Sequence, residues 1–379
     1  MMSGLFDPFK LRGVSFKNRV VVSPMSQYRA KNGYANDWHM VHLGRFALGG
    51  AGLVYAEATA VEDRGRRTHG DLGLWEDGQI EGCKKITAFL EAEGAVPGVQ
   101  LGHAGRKASE RRPWHGETPV TSEDTAERGE APWEAIGPSP IPYADGWPAP
   151  QEMSEADIAD VIEAFGQAAR RSYEAGFKMI EVYAAHGFLV HQFLSPIANQ
   201  RNDSWGGSLE NRTRFGVEVA KAIRANWPDD LPLSFRLSAT DWLDGGLEVD
   251  ETIEITKALK GAGVDMIDCS TGGIGGKERP RRMVIEQGFQ VPFASQVRNG
   301  ADIATMAVGF LWDAIRCNEI VENGEADMVA LARELLDDPN WPLHAAAELG
   351  ADEGNAMWPE ESGWWLNKRD RLVKKLGLR

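Results

Sequence analysis

Eight short runs of apolar, β-branched or aromatic residues recur along this chain, and most neighbouring runs leave room for a helix between them. They are Val20–Pro24, Gly52–Ala58, Val96–His103, Met179–Tyr183, Leu231–Leu237, Asp265–Ser270, Ile303–Val308 and Met328–Ala332. Runs without polar alternation fit strands covered on both faces, as parallel sheets require. Helical periodicity fills the gaps. The clearest case begins at Ser154, with Asp157 three residues later as a capping-box match. It carries Ile158, Val161, Ile162, Phe165, Ala168 and Ala169 on one face and stops at Gly176. Eight strand–helix repeats predict an α/β chain closed into a (β/α)8 TIM barrel, with a doubly wound sheet as the alternative. Phe9 to Asn18 reads as a hairpin on the barrel floor. The barrel is assigned to residues 1–345 and a C-terminal extension to 346–379. Residues 111–150 are rich in Pro, Trp, Glu and Gly without periodicity. They read as a long excursion between strands three and four, in the position of a lid.

Composition narrows the partners. The net charge of −15 argues against nucleic acid or an anionic membrane as the main partner, because both call for a basic face. The three cysteines, Cys83, Cys269 and Cys317, are scattered and form no C-x-x-C pair. That disfavours a disulfide framework or a cysteine-held metal and points to a reducing cytoplasm. No segment has signal-peptide or membrane-span character. His39 and His42 are spaced i, i+3, but without a carboxylate or cysteine pattern beside them they read as structural, and no metal is expected.

The polar residues gather where the runs end, which in a parallel barrel is where chemistry is placed. Ser23-Pro24-Met25-Ser26-Gln27-Tyr28 ends the first run and Glu57-Ala58 the second. Gln100-Leu101-Gly102-His103-Ala104-Gly105-Arg106-Lys107 ends the third. A buried glutamine offers a donor and an acceptor, to a heteroaromatic edge or to backbone; His103 reads as structural. The fourth run ends in Tyr183-Ala184-Ala185-His186-Gly187-Phe188, putting a phenol and an imidazole at one strand end. Arg236, inside an apolar run, needs a partner, and Asp241 and Glu57 are the protein candidates. Thr271-Gly272-Gly273-Ile274-Gly275-Gly276, Ala307-Val308-Gly309-Phe310 and Ala330-Leu331-Ala332-Arg333 end the last three. Loops after strands seven and eight commonly hold a phosphate in such barrels, and Arg333 adds a permanent cation.

Together these segments resemble the Old Yellow Enzyme family of FMN oxidoreductases over roughly residues 5 to 345. The Gln-Leu-x-His-x-Gly-Arg stretch and Gly206-Gly207-Ser208-Leu209-Glu210-Asn211-Arg212 are its most recognisable signatures, the latter an architectural turn with Ser208 as a helix cap. The resemblance implies FMN bound by Ser23, Pro24, Met25, Ser26, Ala58, Gln100, Arg236, Gly272, Gly309, Ala332 and Arg333. It implies NAD(P)H as reductant and hydride transfer from flavin N5 to an activated alkene or a quinone. Tyr183 and His186 fall where the family binds the substrate carbonyl, and Tyr28 and Phe188 border the substrate.

Three departures matter. Ser26 replaces the cysteine usual in the family's thermophilic-like branch, where the thiol tunes flavin potential. Phe188 replaces the tyrosine that protonates the α-carbon, so Tyr183, Tyr28 or water must serve, and simple enones are expected to turn over more slowly than quinones. Tyr183-x-x-His186 replaces the usual His-x-x-His or His-x-x-Asn. It is similar to the pair in trimethylamine and dimethylamine dehydrogenases, which makes oxidative C–N cleavage of a methylated amine the alternative function. That alternative also needs an Asp, and none is evident after strand six. In the thermophilic-like branch a C-terminal aromatic or arginine crosses a dimer interface into the partner's site. Trp365, in Ser362-Gly363-Trp364-Trp365-Leu366-Asn367-Lys368-Arg369, is the match, so a homodimer is expected.

Overall fold

The computed structural model describes residues 4–276, 280 and 283–378. All eight apolar runs form parallel strands: β1 Val20–Val22, β2 Leu53–Ala60, β3 Val96–Gly102, β4 Met179–Ala184, β5 Leu233–Ser238, β6 Met266–Ser270, β7 Ala304–Ala307 and β8 Met328–Leu331. Each pairs with the next, and β8 returns to β1 through Val329↔Val20, which closes the barrel and rules out the open doubly wound sheet. Phe9–Leu11 and Val14–Phe16 form the antiparallel hairpin.

The outer helices are α1 Asp37–Leu48, α2 Ile80–Ala92, α3 Glu155–Glu174, α4 Leu209–Arg224, α5 Val249–Gly261, α6 Val291–Ala301, α7 Ala314–Glu322 and α8 Trp341–Glu348. Helix α3 starts where the sequence placed it. The Ser154 hydroxyl accepts from the Asp157 N–H, and Asp157 returns a bond to the Ser154 backbone. Its apolar face, including Ile158, Val161, Phe165 and Ala169, is buried. Ser208 caps α4 in the same way, accepting from the Asn211 N–H. A further helix, α9 Glu360–Lys375, follows the barrel and buries only Gly363.

Register fixes what the barrel interior holds. Gly98 lies beside Tyr55, whose ring sits where a Cβ on that glycine would be. The Tyr55 hydroxyl meets Ser234 Oγ at 3.1 Å. One layer nearer the C-terminal mouth, Gln100 faces Glu181 and Arg236 faces Asp268 across adjacent strands. A bulge at Glu57 interrupts β2 between Ala56 and Ala58. Such a bulge re-aims its side chain. The Glu57 carboxylate accepts from the Gln27 and Tyr28 N–H groups and pairs with His39, so it anchors the loop after β1.

The excursion holds a short helix, Ser122–Arg128, and a two-residue pairing of Ile136–Gly137 with Gln151–Glu152. It folds back onto the mouth. Ala135 joins Ala104, Ala108 and Phe188 in a small apolar cluster packed by Trp133 and Tyr183. Arg106 fastens it by donating to the Ile141 and Pro142 carbonyls and to Ile274 O.

Candidate active site

The site is built from three groups at the barrel mouth. The first is a buried charge cluster. Arg236 donates to Ser23 Oγ at 3.0 Å, and its Nε lies 3.3 Å from Asp268 Oδ2. Its partner is thus the residue opposite it on β6, not Asp241 or Glu57. Asp241 is held by His191 at 2.9 Å and by Ser195 at 2.6 Å, and Glu57 by His39 and the β1 loop. Gln100 donates to Glu181 Oε1 at 2.8 Å. Burial pushes both the Glu181 and Asp268 carboxyls up, and Asp268 pushes Glu181 further. Two carboxyls whose pKa values are both raised thus face the single Arg236 cation.

The second group is a cavity of about 340 Å³ where β5 to β8 end. Arg236, Ser270, Gln290, Gly309, Ala332 and Arg333 are among its lining residues. Gly309 has φ +124°, and a Cβ there would press on Gln290 at 2.9 Å. The Arg236 guanidinium, buried and ion-paired with Asp268, lines the same cavity as Arg333. Two permanent cations in one cavity suit a flat, electron-rich ring carrying a phosphate. FMN fits these residues.

The third group is a hydrogen-bonded chain. Tyr183 OH lies 3.0 Å from His186 Nδ1, and His186 Nε2 lies 2.6 Å from Ser270 Oγ. Phenol and imidazole are hydrogen-bonded to each other. His186 adopts φ +53°, a costly geometry for a non-glycine residue, fixed by its N–H donating to Ser238 Oγ at 3.0 Å. Burial, then Arg236 and Lys107, hold the His186 pKa well below the usual histidine value. That direction favours the neutral ring. Among the described residues no Asp stands beside this ring for the amine-oxidation alternative: Ser270 bonds it, and Asp268 pairs with Arg236.

Tyr28, at φ +54°, accepts from Arg67 Nη1 at 3.0 Å. Phe188 stacks on Tyr183 with ring centroids 3.9 Å apart. Ser23 is buried, and Met25 and Ser26 are half-buried beyond Pro24. Gly272, at φ +70°, accepts at its carbonyl from Ser238 Oγ. His103 bonds Glu62 and the Gly105 N–H, as a structural histidine does. Trp365 is exposed on α9, where its ring meets Trp364. Ser270 and Lys107 escaped the sequence reading. Lys107 follows the Gly-Arg of the third strand end, and Ser270 ends the sixth; position was the only available signal for either.

A family model, the NADH:flavin oxidoreductase / NADH oxidase family, matches residues 4–352. The chain belongs to this family, that of the Old Yellow Enzymes. It is 42% identical over 366 residues to an NADPH dehydrogenase of Geobacillus sp. (strain WCH70), covering 96% of this chain and 99% of that one. Among solved structures it resembles 2-naphthoyl-CoA reductase in complex with 2-naphthoyl-CoA, with TM-score 0.80 and 28% identity. That match covers 92% of this chain and spans about half, 53%, of the other. A histamine dehydrogenase from Rhizobium sp. 4-9 superposes with TM-score 0.74 and 27% identity, over 91% of this chain and 48% of that one. The protein is an FMN-dependent oxidoreductase of the ene-reductase type with NAD(P)H as reductant.

Proposed function

We propose that the Tyr183–His186–Ser270 chain binds and polarises the oxygen of an electron-poor alkene or a quinone while hydride is delivered to it. The observation that carries this reading is the continuous hydrogen-bonded path from Tyr183 to Ser270. Bound FMN supplies the hydride, taken from NAD(P)H. Arg236 and Arg333 hold its electron-rich edge and its phosphate. Gln100 acts from behind, through Glu181. Ser23, Pro24, Met25, Ser26 and Ala58 provide the facing wall, and Gly272, Gly309 and Ala332 let backbone approach closely. As negative charge grows on the substrate oxygen, the Tyr183 proton moves toward it. His186, held by the Ser270 hydroxyl, orients the phenol, so the hydrogen-bond donor to the substrate oxygen is positioned before reaction begins. Phe188 and Tyr28 shape the substrate space, and the excursion excludes water by packing Trp133 and Ala135 over Phe188.

A second copy completes the picture. Trp38 and Val41 on α1 are exposed beside Tyr28, and Trp364, Trp365 and Leu372 are exposed on α9. A pair of exposed aromatic faces in one chain supports a homodimer in which Trp365 reaches the partner's substrate space. The three cysteines are free and buried, which supports a cytoplasmic setting. No helix among the described residues is long and apolar enough to cross a membrane.

Anaerobic titration tests the assignment. NADPH should bleach the flavin, and an enone or quinone should restore its colour, with quinones faster. Bleaching by methylated amines, with no reoxidation by enones or quinones, would establish the C–N reading instead. Truncation before Trp364 should leave FMN bound and raise KM; unchanged kinetics, or a monomer at micromolar concentration, would exclude the crossed tail.

A further inference from the structure

We propose that Lys107 is the acid that delivers a proton to the α-carbon, at the place where Phe188 has none to give. The inference rests on the alkene-reducing activity and on the placement of one ammonium group. Lys107 is 7% exposed, and its Nζ donates to His186 O at 2.9 Å. It lies 4.7 Å from the Tyr143 ring centroid and 5.9 Å from that of Phe188. Among the described residues no carboxylate pairs with it. A buried cation is costly, and here a carbonyl and two ring faces offset that cost at contact, with Glu110 and Glu117 acting on it from farther away. An anion developing on the substrate beside Phe188 would complete its environment.

The other acids in the site are less suited. The Tyr183 hydroxyl is engaged with His186, and burial raises its pKa above the ordinary phenol value. Tyr28 is engaged by Arg67, and burial raises its pKa also. Burial lowers Lys107 instead, with Arg67 adding to the effect, to about 7. An acid matched to neutral pH is the better donor.

Hydride forms the new bond at the β-carbon, and the alkene pair moves toward the α-carbon and carbonyl. One Lys107 N–H bond breaks as the α-carbon C–H bond forms, and the neutral amine regains its proton from solvent. Quinone oxygens take protons from water directly and do not need this step.

Lys107→Met removes the acid, and Lys107→Arg keeps the charge but holds its proton. Each is compared with the wild-type holoenzyme in single-turnover reoxidation of the NADPH-reduced protein, by an enone and by a quinone. The enone rate should fall ~100-fold in both variants, within the range a positioned general acid supplies, while the quinone rate stays within about threefold. The wild-type enone rate should decline above pH 7, and Lys107→Met should lose that decline. A readout independent of turnover is the melting temperature: Lys107→Met should be the more stable protein at pH 7, with an advantage that shrinks toward pH 10. Enone rates that survive in both variants overturn the proposal. So do enone and quinone rates that fall together, which would mark a merely structural lysine.

Discussion

Replacing Ser270 with alanine removes one oxygen and breaks the Tyr183–His186–Ser270 chain at its far end. Ser270 is buried, and its hydroxyl lies 2.6 Å from His186 Nε2. The nearest substitute, the Gln290 amide, is engaged with Thr271 Oγ1 at 2.7 Å. The imidazole nitrogen is therefore stranded in a buried site, at a cost of about 1–3 kcal/mol. If the bond tightens as charge reaches the substrate oxygen, that energy appears in the barrel's catalytic step. At 1.36 kcal/mol per decade it corresponds to a ~5- to 160-fold slower rate. Both enone and quinone should suffer, because both place an oxygen on Tyr183, and this separates Ser270 from Lys107. The assay is single-turnover reoxidation of the reduced Ser270→Ala holoenzyme, with flavin content measured to show that FMN remains. A rate within about twofold of wild type for both substrates, where ~5-fold is the smallest loss expected, would refute this role.

Other expectations follow from the same geometry. Arg333→Ala should weaken FMN binding by ~10-fold or more, the loss of one charged hydrogen bond, seen as flavin released on dilution. Arg236→Met should strand Asp268 as an unpaired buried carboxylate, costing about 3–5 kcal/mol of stability in chemical denaturation. Glu181→Gln keeps a neutral side chain of the same shape. Because the folded pKa of Glu181 is raised, its contribution is intact below the unfolded value and is lost as pH rises toward about 8. The variant should therefore gain stability over wild type as pH rises from 5 to 8, read by thermal melts. For Lys107 the sign is opposite. Its folded pKa of about 7 lies below the unfolded value, so the unfolded chain binds the extra proton between pH 7 and 10, and wild-type stability rises across that window.

The barrel was legible because buried parallel strands carry a signal that survives without context. Val20–Val22, Met179–Ala184 and Met266–Ser270 sit within their predicted runs or one residue beyond. Ser154 and Ser208 announced their helices through local hydrogen bonds. The pairing within the site was not legible, because it depends on register between strands distant in sequence. Arg236 meets Asp268, and Gln100 meets Glu181, only once the strands are aligned. The hydrogen bond between Tyr183 and His186 depends on the positive φ of His186, which no residue type in the sequence announces. Lys107 was hidden differently: a lysine reads as solvated until the excursion is folded over it.

The most direct test of the account is anaerobic reduction of the purified yellow protein by NADPH followed by mixing with an enone or a quinone. NADPH should bleach the flavin, and either acceptor should restore its absorbance, at rates that depend on Tyr183 for both. A protein that carries no flavin and takes up no added FMN, or one reduced by methylated amines and not reoxidised by either acceptor, would contradict it.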